Sequence, residues 1–205
     1  MASPPHPHRP LTDVGPVRLV RATDARWLPL ALANFDRVLV DHAHCEKKAA
    51  ANALSMLQAY PEIPGLPAQM ARLAREESGH LARVLQWMDA RGLTLTRDVG
   101  DPYAQALQKF VRTPAAERAL DRLLVAAIIE ARSCERLALL GGALEDAELA
   151  RFYRELAQSE DGHQALFYRL ALQVTATTQV DARLETLLDA EADVLDRLPL
   201  RPAIH

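Results

Sequence analysis

Six ionisable residues of this 205-residue chain occupy positions where a helical pattern would place apolar side chains. Two pairs, Glu77-Ser-Gly-His80 and Glu160-Asp-Gly-His163, repeat the spacing i, i+3, so both side chains of a pair project from one helix face about a turn apart. Two single glutamates, Glu46 and Glu130, lie in the apolar stripes of two other helices. Each Glu-x-x-His pair can bind one metal ion through a carboxylate and an imidazole.

The two halves of this set are spaced alike along the chain. The separations are 84 residues from Glu46 to Glu130, 83 from Glu77 to Glu160 and 83 from His80 to His163. The two helix pairs therefore look like copies, and an internal two-fold would place two equivalent ligand sets face to face. A Glu from each of two helices, with Glu-x-x-His from each of two others, is the ligand set of ferritin-like di-iron and di-manganese carboxylate proteins.

Electrostatics favour a metal at this position. Four buried carboxylates and two imidazoles without compensation would cost several kcal/mol per ion, and like charges at close range would force some of them to take up protons. Two divalent cations cancel four negative charges. Carboxylate and imidazole ligands suit iron or manganese better than copper(I), although ligand type alone also allows zinc. One Glu-x-x-His is weak evidence, but two in register with two further glutamates predict a dinuclear site.

Long helices are predicted to position these residues. Apolar side chains recur every three or four residues from Asp24 onward, and no convincing period-two strand is present. The predicted helices are Asp24 to Ala59, Leu66 to Ala90, a short one from Asp101 to Val111, Pro114 to Leu140 ended by Gly141-Gly142, Glu145 to Val174, and Asp181 to Leu198 after the β-branched stretch Val174 to Val180. The pattern predicts an all-α fold, a ferritin-like four-helix bundle with additional short helices.

Residues 1–18 differ in composition from the rest of the chain. They hold five of the 13 prolines and no apolar period, so we expect a flexible Pro-rich arm in which His6 and His8 are solvated. Residues 19–205 are predicted to form one helical domain, because 49% hydrophobic and 25% charged residues can build a sizeable core.

Composition also limits location and partners. No run of about 18 uncharged apolar residues and no secretory signal is visible, so we expect a cytoplasmic protein without a membrane span. Two cysteines, Cys45 and Cys134, are too few for a Cys-rich zinc site and are predicted to be small core residues. A net charge of −3 excludes a uniformly basic nucleic-acid binder but leaves room for a local basic face.

Several residues lie near the predicted ligands in sequence. His42, one turn before Glu46, is read as a hydrogen-bond donor to a ligand, a substrate contact or a satisfied core histidine. Glu76, Asp161 and Glu135 lie off the stripes and are read as solvated or as outer partners of the ligands. Five alanines within a turn of ligands indicate either an open cavity or close helix packing: Ala49, Ala50, Ala126, Ala127 and Ala131.

Four segments of the chain resemble the tRNA 2-methylthio-N6-isopentenyladenosine hydroxylase family, and the resemblance runs over about residues 24–198. They are Asp41-His-Ala-His-Cys-Glu-Lys-Lys-Ala-Ala50, Glu76-Glu-Ser-Gly-His80, Glu130-Ala-Arg-Ser-Cys-Glu135 and Ser159-Glu-Asp-Gly-His163. The first stretch is specific, whereas many ferritin-like proteins share the Glu-x-x-His motifs. The resemblance implies an O₂-dependent di-iron monooxygenase that hydroxylates the isopentenyl group of the hypermodified adenosine beside the anticodon.

The resemblance also implies roles for the six residues as metal ligands and as the catalytic centre. Glu77 and Glu160 would bridge two irons, with manganese as the other candidate metal, and Glu46 and Glu130 would be terminal ligands. Each iron would bind one imidazole, from His80 or from His163.

The implied partners are a tRNA anticodon stem-loop and an external electron donor such as a reductase or ferredoxin, because the chain has no flavin, nicotinamide or iron–sulfur motif. Basic residues on the first two long helices are candidates for phosphate contacts, although an ordinary solvated face explains them equally well. They are Lys47, Lys48, Arg72, Arg75, Arg83 and Arg91. The competing function is a ferritin-like iron-storage or peroxide-handling protein without an RNA substrate, and a non-enzymatic helical interaction protein ranks third. The sequence predicts no oligomeric state.

Overall fold

The computed structural model of this chain describes residues 17–205, apart from the side chain of Ala116. These residues form helices and no strand, which confirms the predicted all-α class. The predicted arm lies outside the described residues except for its last two positions, and His6 and His8 lie outside them as well. The helices are α1 (Trp27–Ala33), α2 (Phe35–Ala59), α3 (Leu66–Ala90), α4 (Pro102–Gln108), α5 (Ala115–Ala143), α6 (Ala147–Ala171) and α7 (Thr177–Arg197).

Two helical hairpins make up the bundle. Helix α2 packs along α3, and α5 packs along α6, with short connections inside each pair. The longer crossover between the pairs contains α4, and α7 packs against α4 and α5. This is the predicted four-helix bundle with additional helices, and each hairpin carries one half of the candidate ligand set.

The core is divided into two apolar clusters with a polar layer between them. On α2, Val38 and Leu39 belong to one cluster and Met56 belongs to the other, with Glu46 between them. The other three long helices show the same division, with Glu77 on α3, Glu130 on α5 and Glu160 on α6 at the boundary. The four glutamates lie within the apolar faces of the long helices, so they form a buried layer of carboxylates in the middle of the bundle.

Local capping explains where several helices begin. Helix α3 has the predicted bounds, since Gly65 precedes it with φ +77° and Gly92 follows it with φ +68°. The Asp101 side chain accepts a hydrogen bond from Ala104 N (3.0 Å) at the start of α4. Asp146 accepts from Leu149 N (3.0 Å) at the start of α6. Each cap satisfies backbone donors that the first helical turn leaves free.

The first predicted helix, Asp24 to Ala59, is two helices in the structure. Asn34 separates them with φ −128°, and its side chain donates to Leu30 O (2.9 Å). An Asn side chain that bonds the carbonyl four residues earlier competes with the helical ladder, which explains why a continuous apolar pattern still contains a break.

Gly141-Gly142 was predicted to end the helix that begins at Pro114, but α5 continues through both residues to Ala143. A Cβ atom at Gly141 would lie 2.7 Å from Arg154 Cγ and 2.9 Å from Arg154 N. Gly141 therefore allows the backbones of α5 and α6 to approach closely, and the glycine marks a helix crossing rather than a helix end.

The remaining boundaries differ by a few residues. Helix α6 is shorter at both ends than the predicted Glu145 to Val174, and α7 begins at Thr177, four residues before the predicted start. Within residues 17–205, none of the helices is both long enough and apolar enough to cross a membrane.

Candidate metal centre

The structure brings all six predicted ligands together in the middle of the bundle. Two overlapping groups form, and within each group one donor atom per residue lies within 4.8 Å of all the others. Glu77 and Glu160 belong to both groups. The first group is Glu46, Glu77, His80 and Glu160, and the second is Glu77, Glu130, Glu160 and His163. All four glutamates and His163 are buried, and the side chain of His80 is 12% exposed.

Each histidine points its Nδ1 atom at several carboxylates. His163 Nδ1 lies 2.9 Å from Glu77 Oε1 and 3.0 Å from Glu160 Oε2. His80 Nδ1 lies 3.2 Å from Glu77 Oε2 and 3.6 Å from oxygens of both Glu46 and Glu160. One ring N–H donates in one direction only, so it cannot satisfy carboxylates from several helices. Separations of about 3 Å are those of neighbouring ligands around an ion bound at roughly 2.1 Å.

One carboxylate oxygen in this centre has no hydrogen-bond donor. Glu77 Oε1 is buried and, among the described residues, accepts no hydrogen bond, although His163 Nδ1 lies close to it. A buried, unpartnered carboxylate oxygen is costly unless a cation satisfies it. Burial and the charge of Glu160 favour the protonated form of Glu77, but the nearby imidazoles of His163 and His80 outweigh them and lower the pKa of Glu77.

The other ionisable groups respond to the crowding of negative charge. Burial, followed by the charges of Glu160 and Glu77, raises the pKa of Glu130 well above its ordinary value. Burial disfavours the charged form of His80, yet its hydrogen bonds with Glu46 and Glu77 raise its pKa to about 10. Burial also disfavours the charged form of His163, but its contacts with Glu160 and Glu77 outweigh burial and raise the pKa of His163 to about 12. The glutamates thus attract positive charge, and divalent cations bound by carboxylates and imidazoles fit this centre.

Outer partners orient two of the predicted ligands. His42 Nε2 lies 2.7 Å from Glu46 Oε1, and His42 Nδ1 lies 3.2 Å from the hydroxyl of Tyr153. A carboxylate only accepts hydrogen bonds, so the tautomer of His42 that satisfies both contacts carries its proton on Nε2 and accepts at Nδ1 from the Tyr153 hydroxyl. His42 Nε2 then donates to Glu46. The structure supports the reading of His42 as a donor to the predicted ligand Glu46, and His42 also lines the cavity described below.

His163 has an outer partner as well. Its Nε2 atom lies 3.3 Å from Glu76 Oε2, which leaves Nδ1 directed at the carboxylates. Glu76 is therefore an outer partner, although its side chain is 37% exposed. Asp161 instead accepts a hydrogen bond from Gln164 (2.7 Å), and Glu135 accepts from Thr23 (3.0 Å). Within the part of the chain that the structure describes, neither of these two carboxylates hydrogen-bonds to any of the six residues.

A cavity of about 190 Å³ opens beside the carboxylates, between α2 and α5. Glu46, Glu77, Glu130 and Glu160 contribute to its lining at the buried end. Ala49 and Ala126 also line it, which supports the cavity reading of these two alanines, whereas Ala127 and Ala131 are core residues. Cys45 is half-buried, lies in the cavity wall and packs against the core. Burial raises the pKa of Cys134, the other free thiol, to about 11.

The partly exposed residues of the cavity include several that the sequence reasoning missed. Asn52, Gln108 and Arg122 line it together with Lys48, and we call these four residues the cavity mouth. Arg122 donates to Asn52 Oδ1 (3.2 Å). A signal for Arg122 was present, because it lies eight residues before Glu130 and hence on the same helix face. Gln108 comes from α4, and no periodicity on the long helices could have indicated it.

Most of the basic residues predicted as a phosphate-binding face are engaged in ion pairs. Lys47 Nζ lies 2.9 Å from Asp98, and Lys48 Nζ lies 3.8 Å from the same carboxylate. The remaining pairs are Arg72 with Glu76 (3.5 Å), Arg83 with Glu155 (2.6 Å) and Arg91 with Asp36 (2.9 Å). Lys48 is the member of this set that also lines the cavity.

Comparison with known proteins finds relatives over most of the chain. A family model described as tRNA-(MS2IO6A)-hydroxylase (MiaE) matches residues 13–205. The tRNA 2-(methylsulfanyl)-N(6)-isopentenyladenosine(37) hydroxylase of Pseudomonas putida is 39% identical over 173 residues, which is 84% of each chain. The enzyme of the same description from Salmonella typhimurium is 29% identical and covers 86% of this chain and 80% of its own.

A solved structure is also similar in fold. It is described as protein 43 with aldehyde deformylating oxygenase activity, from Synechococcus, and it superposes with a TM-score of 0.86 at 38% identity. The match covers 91% of this chain and 94% of that chain.

Proposed function

The chain belongs to the tRNA-(MS2IO6A)-hydroxylase family, and on this premise we propose that it hydroxylates the isopentenyl group of 2-methylthio-N6-isopentenyladenosine beside the tRNA anticodon, with two iron ions and O₂. One observation carries this proposal. A buried centre of four carboxylates and two imidazoles lies beside a small cavity whose mouth is polar and basic.

The size of the cavity supports a substrate that inserts only its alkyl group. A cavity of roughly 150 Å³ in a protein core accepts benzene, a molecule of six carbons. The present cavity of about 190 Å³ thus suits the five-carbon isopentenyl group but not a whole nucleotide. Its walls include the apolar side chains of Ala49, Ala126 and Ile129. The purine would stay at the mouth while the carbon to be hydroxylated lies near the glutamates.

The mouth offers donors that suit RNA. Lys48 and Arg122 supply positive charge for phosphates, and the amides of Asn52 and Gln108 supply donors and acceptors for a base edge. Arg122 is held in place because its guanidinium lies 5.4 Å from the ring centroid of Tyr60 and donates to Asn52. Local charge at the mouth thus supports tRNA binding despite a net charge of −3.

The six ligand candidates would hold the two metal ions. Glu46 and His80 would bind one ion, Glu130 and His163 the other, and Glu77 and Glu160 both. When bound, two iron ions supply the activation of O₂, and manganese is the other metal that these ligands suit. The protein's own part is to fix the ligands through His42 and Glu76 and to keep the centre away from bulk water. An external reductase or ferredoxin would supply two electrons.

Two other functions can be weighed against the tRNA substrate. Iron storage or peroxide handling needs no basic mouth and no cavity that fits a five-carbon group. Deformylation of an aldehyde is the activity named for the similar Synechococcus protein. An aldehyde carries no phosphate group that the cationic side chains of Lys48 and Arg122 could contact. These side chains favour the tRNA substrate over both alternatives.

The test is conversion of a defined RNA. An anticodon stem-loop that carries 2-methylthio-N6-isopentenyladenosine is incubated with the iron-loaded protein, a reductant and ¹⁸O₂, and its nucleosides are analysed by mass spectrometry. We expect one ¹⁸O atom in the isopentenyl group, and no product from an unmodified stem-loop. Glu130→Gln should abolish conversion, whereas Glu62→Gln, at an exposed position, should not. Unchanged RNA combined with turnover of an aldehyde or of peroxide would overturn the proposal.

A further inference from the structure

A second cavity, of about 350 Å³, lies next to the one that the glutamates line, and the two share His205 in their walls. Exposed side chains such as Arg26 and Leu200 border the second cavity, so it reaches solvent. None of the four residues of the cavity mouth lines it. The proposed hydroxylation gives this cavity no role.

Positive charge dominates the wall of the second cavity. Four arginines and two aspartates line it. Each aspartate pairs with one arginine, and the pairs are Arg26 with Asp24 (2.6 Å) and Arg21 with Asp196 (3.0 Å). Among the described residues, neither Arg136 nor Arg201 has a carboxylate partner. The aspartates of the wall therefore leave two of its four guanidinium charges uncompensated.

Arg136 is the buried member of this set, with 7% of its surface exposed. Its Nη1 atom donates to Ile204 O (3.1 Å), its Nε atom lies 3.4 Å from Thr23 Oγ1, and its guanidinium lies 5.0 Å from the ring centroid of Trp27. These contacts fix the plane of the guanidinium. Its remaining nitrogen, Nη2, donates to no described residue and is not sealed off from solvent. Nη2 is thus available to a molecule in the cavity that Arg136 lines.

The charge of Arg136 is not balanced from inside the bundle either. Arg132, one turn earlier on α5, pairs with Glu191 (2.8 Å) and also contacts Glu135. Burial, followed by the charge of Arg132, lowers the pKa of Arg136 to about 10, although Glu135 and Glu191 act in the opposite direction. A buried cation without an anionic partner destabilises a fold, so an anion bound in the cavity would relieve this cost.

We propose that the second cavity binds a phosphate group, with Arg136 and Arg201 as its ligands. Two uncompensated guanidinium charges match a phosphate monoester, which carries roughly 1.5–2 negative charges at pH 7, better than a carboxylate with one. The planar guanidinium group donates parallel hydrogen bonds to phosphate oxygens. The apolar side chains of the wall leave room for the organic part of an ester, and they include Leu195, Leu198 and Pro199. This site does not depend on the proposed hydroxylation.

Calorimetric titration of the iron-loaded protein with inorganic phosphate, at constant ionic strength and pH 8, tests the site. We expect saturable binding at millimolar phosphate or below. Arg201→Gln should weaken it by about 10–100-fold, the effect of losing one charge-assisted hydrogen bond. Arg151→Gln is the matched control, because it removes an exposed arginine of α6 that does not line the cavity, and it should leave the affinity unchanged.

Two further variants locate the bound phosphate. Arg136→Lys keeps a positive charge but loses the planar group, and it should weaken binding by at least about 10-fold, with circular dichroism to check that the helices are intact. Arg122→Gln, at the cavity mouth, should leave the phosphate affinity unchanged. Phosphate bound by the iron ions or at the mouth would not respond to Arg201→Gln, and that result overturns the proposal. So does the absence of saturable binding at millimolar phosphate.

The same titration with a saturating modified stem-loop identifies the source of the phosphate. An RNA backbone phosphate carries one negative charge, and the residues of the cavity mouth do not line the second cavity, so we expect inorganic phosphate still to bind. Undiminished affinity supports a free phosphate ester as the ligand, whereas displacement by the stem-loop supports an RNA phosphate at the same arginines. A protein that binds phosphate through Arg201 but leaves the stem-loop unconverted contradicts the proposed function and not this site.

Discussion

The imidazole of His42 donates to the carboxylate of Glu46 one turn later on α2, with 2.7 Å between Nε2 and Oε1. Both side chains are buried, and the hydroxyl of Tyr153 lies 3.2 Å from the other nitrogen of the ring. A carboxylate held in this way presents its other oxygen to a neighbouring ion without having to give up rotational freedom on binding. The arrangement supports the view that Glu46 is positioned for a metal before the metal arrives.

Removal of this hydrogen bond should weaken metal binding. His42→Phe keeps a ring in the pocket but loses the donor, and we expect the affinity for Fe(II) to fall by roughly 10–100-fold, the usual effect of losing an outer partner of a ligand. Titration against a competing chelator measures it. His44→Phe is the control, because His44 contacts Lys47 and Asp98 and none of the ligands. Equal affinities in the two variants would contradict the role of His42.

The overlap of the two ligand groups predicts two metal ions per chain. Elemental analysis after iron loading should give this stoichiometry for the wild-type protein. Glu77→Ala and Glu160→Ala should lose more metal than any other single replacement, because each residue belongs to both groups. Asp161→Ala should lose none, and Glu76→Ala should have an intermediate effect through its contact with His163. One ion or none in a fully helical wild-type protein would show that the six residues are not the ligands.

The long helices and the ligand stripes could be predicted from the sequence because both depend on short-range periodicity. Glu77 and His80 share a face through their spacing alone, and the 83-residue repeat indicated that the second pair would face them. Features that depend on contacts between distant segments could not be found this way. The approach of His205 to Asp101 and Ser133 joins residues that are 104 and 72 positions away from it. The continuation of α5 through Gly141 depends likewise on α6.

The two adjacent glycines of α5 should respond oppositely to alanine. A Cβ at Gly141 would lie 2.9 Å from a backbone atom of Arg154, so Gly141→Ala should destabilise the fold by about 1–3 kcal/mol. Nothing lies within 4 Å of a Cβ at Gly142. Gly142→Ala should therefore stabilise the helix by roughly 0.5–1 kcal/mol. Urea unfolding of the two variants measures both changes, and shifts of the same sign would contradict the close crossing of α5 and α6.

Asp121 should make the fold more stable at neutral than at acidic pH. Its buried side chain accepts hydrogen bonds from Arg112 (2.8 Å) and Arg183 (2.8 Å). Burial alone would raise the pKa of Asp121, but these two arginines outweigh it and lower the pKa from 3.8 to about 2. A carboxyl whose pKa is lower in the folded state stabilises the fold above its unfolded pKa. This contribution is lost as the pH falls from about 4 to about 2.

Asp121→Asn should accordingly cost about 1–2 kcal/mol at pH 7, a value reduced for the partial exposure of the arginines. Urea unfolding at pH 7 and at about pH 3 measures the difference between wild type and variant, which should shrink at the lower pH. Asp193→Asn, on an exposed turn of α7, should change the free energy of unfolding by about 0.5 kcal/mol or less at either pH. A difference that stays constant with pH would show that Asp121 acts through packing rather than through its charge.

Salt dependence identifies the basic residues that contact tRNA. Each lysine or arginine that displaces a phosphate counterion adds roughly 0.7–0.9 to the slope of log affinity against log salt. Lys48→Ala combined with Arg122→Ala should therefore reduce that slope by about 1.4–1.8 for a modified stem-loop. Lys47→Ala should have a smaller effect, because Lys47 Nζ is already paired with Asp98 at 2.9 Å.

The matched control combines Arg151→Ala with Arg197→Ala, which removes two exposed positive charges on α6 and α7 that do not line the cavity. Filter binding at several salt concentrations, with metal content checked in each variant, measures the slopes. The control slope should equal that of the wild-type protein. If instead the two double variants lose the same amount, the tRNA responds to net charge alone, and Lys48 and Arg122 have no special place in the RNA-binding surface. If only the variant at the mouth changes, phosphates lie beside the opening through which the isopentenyl group enters.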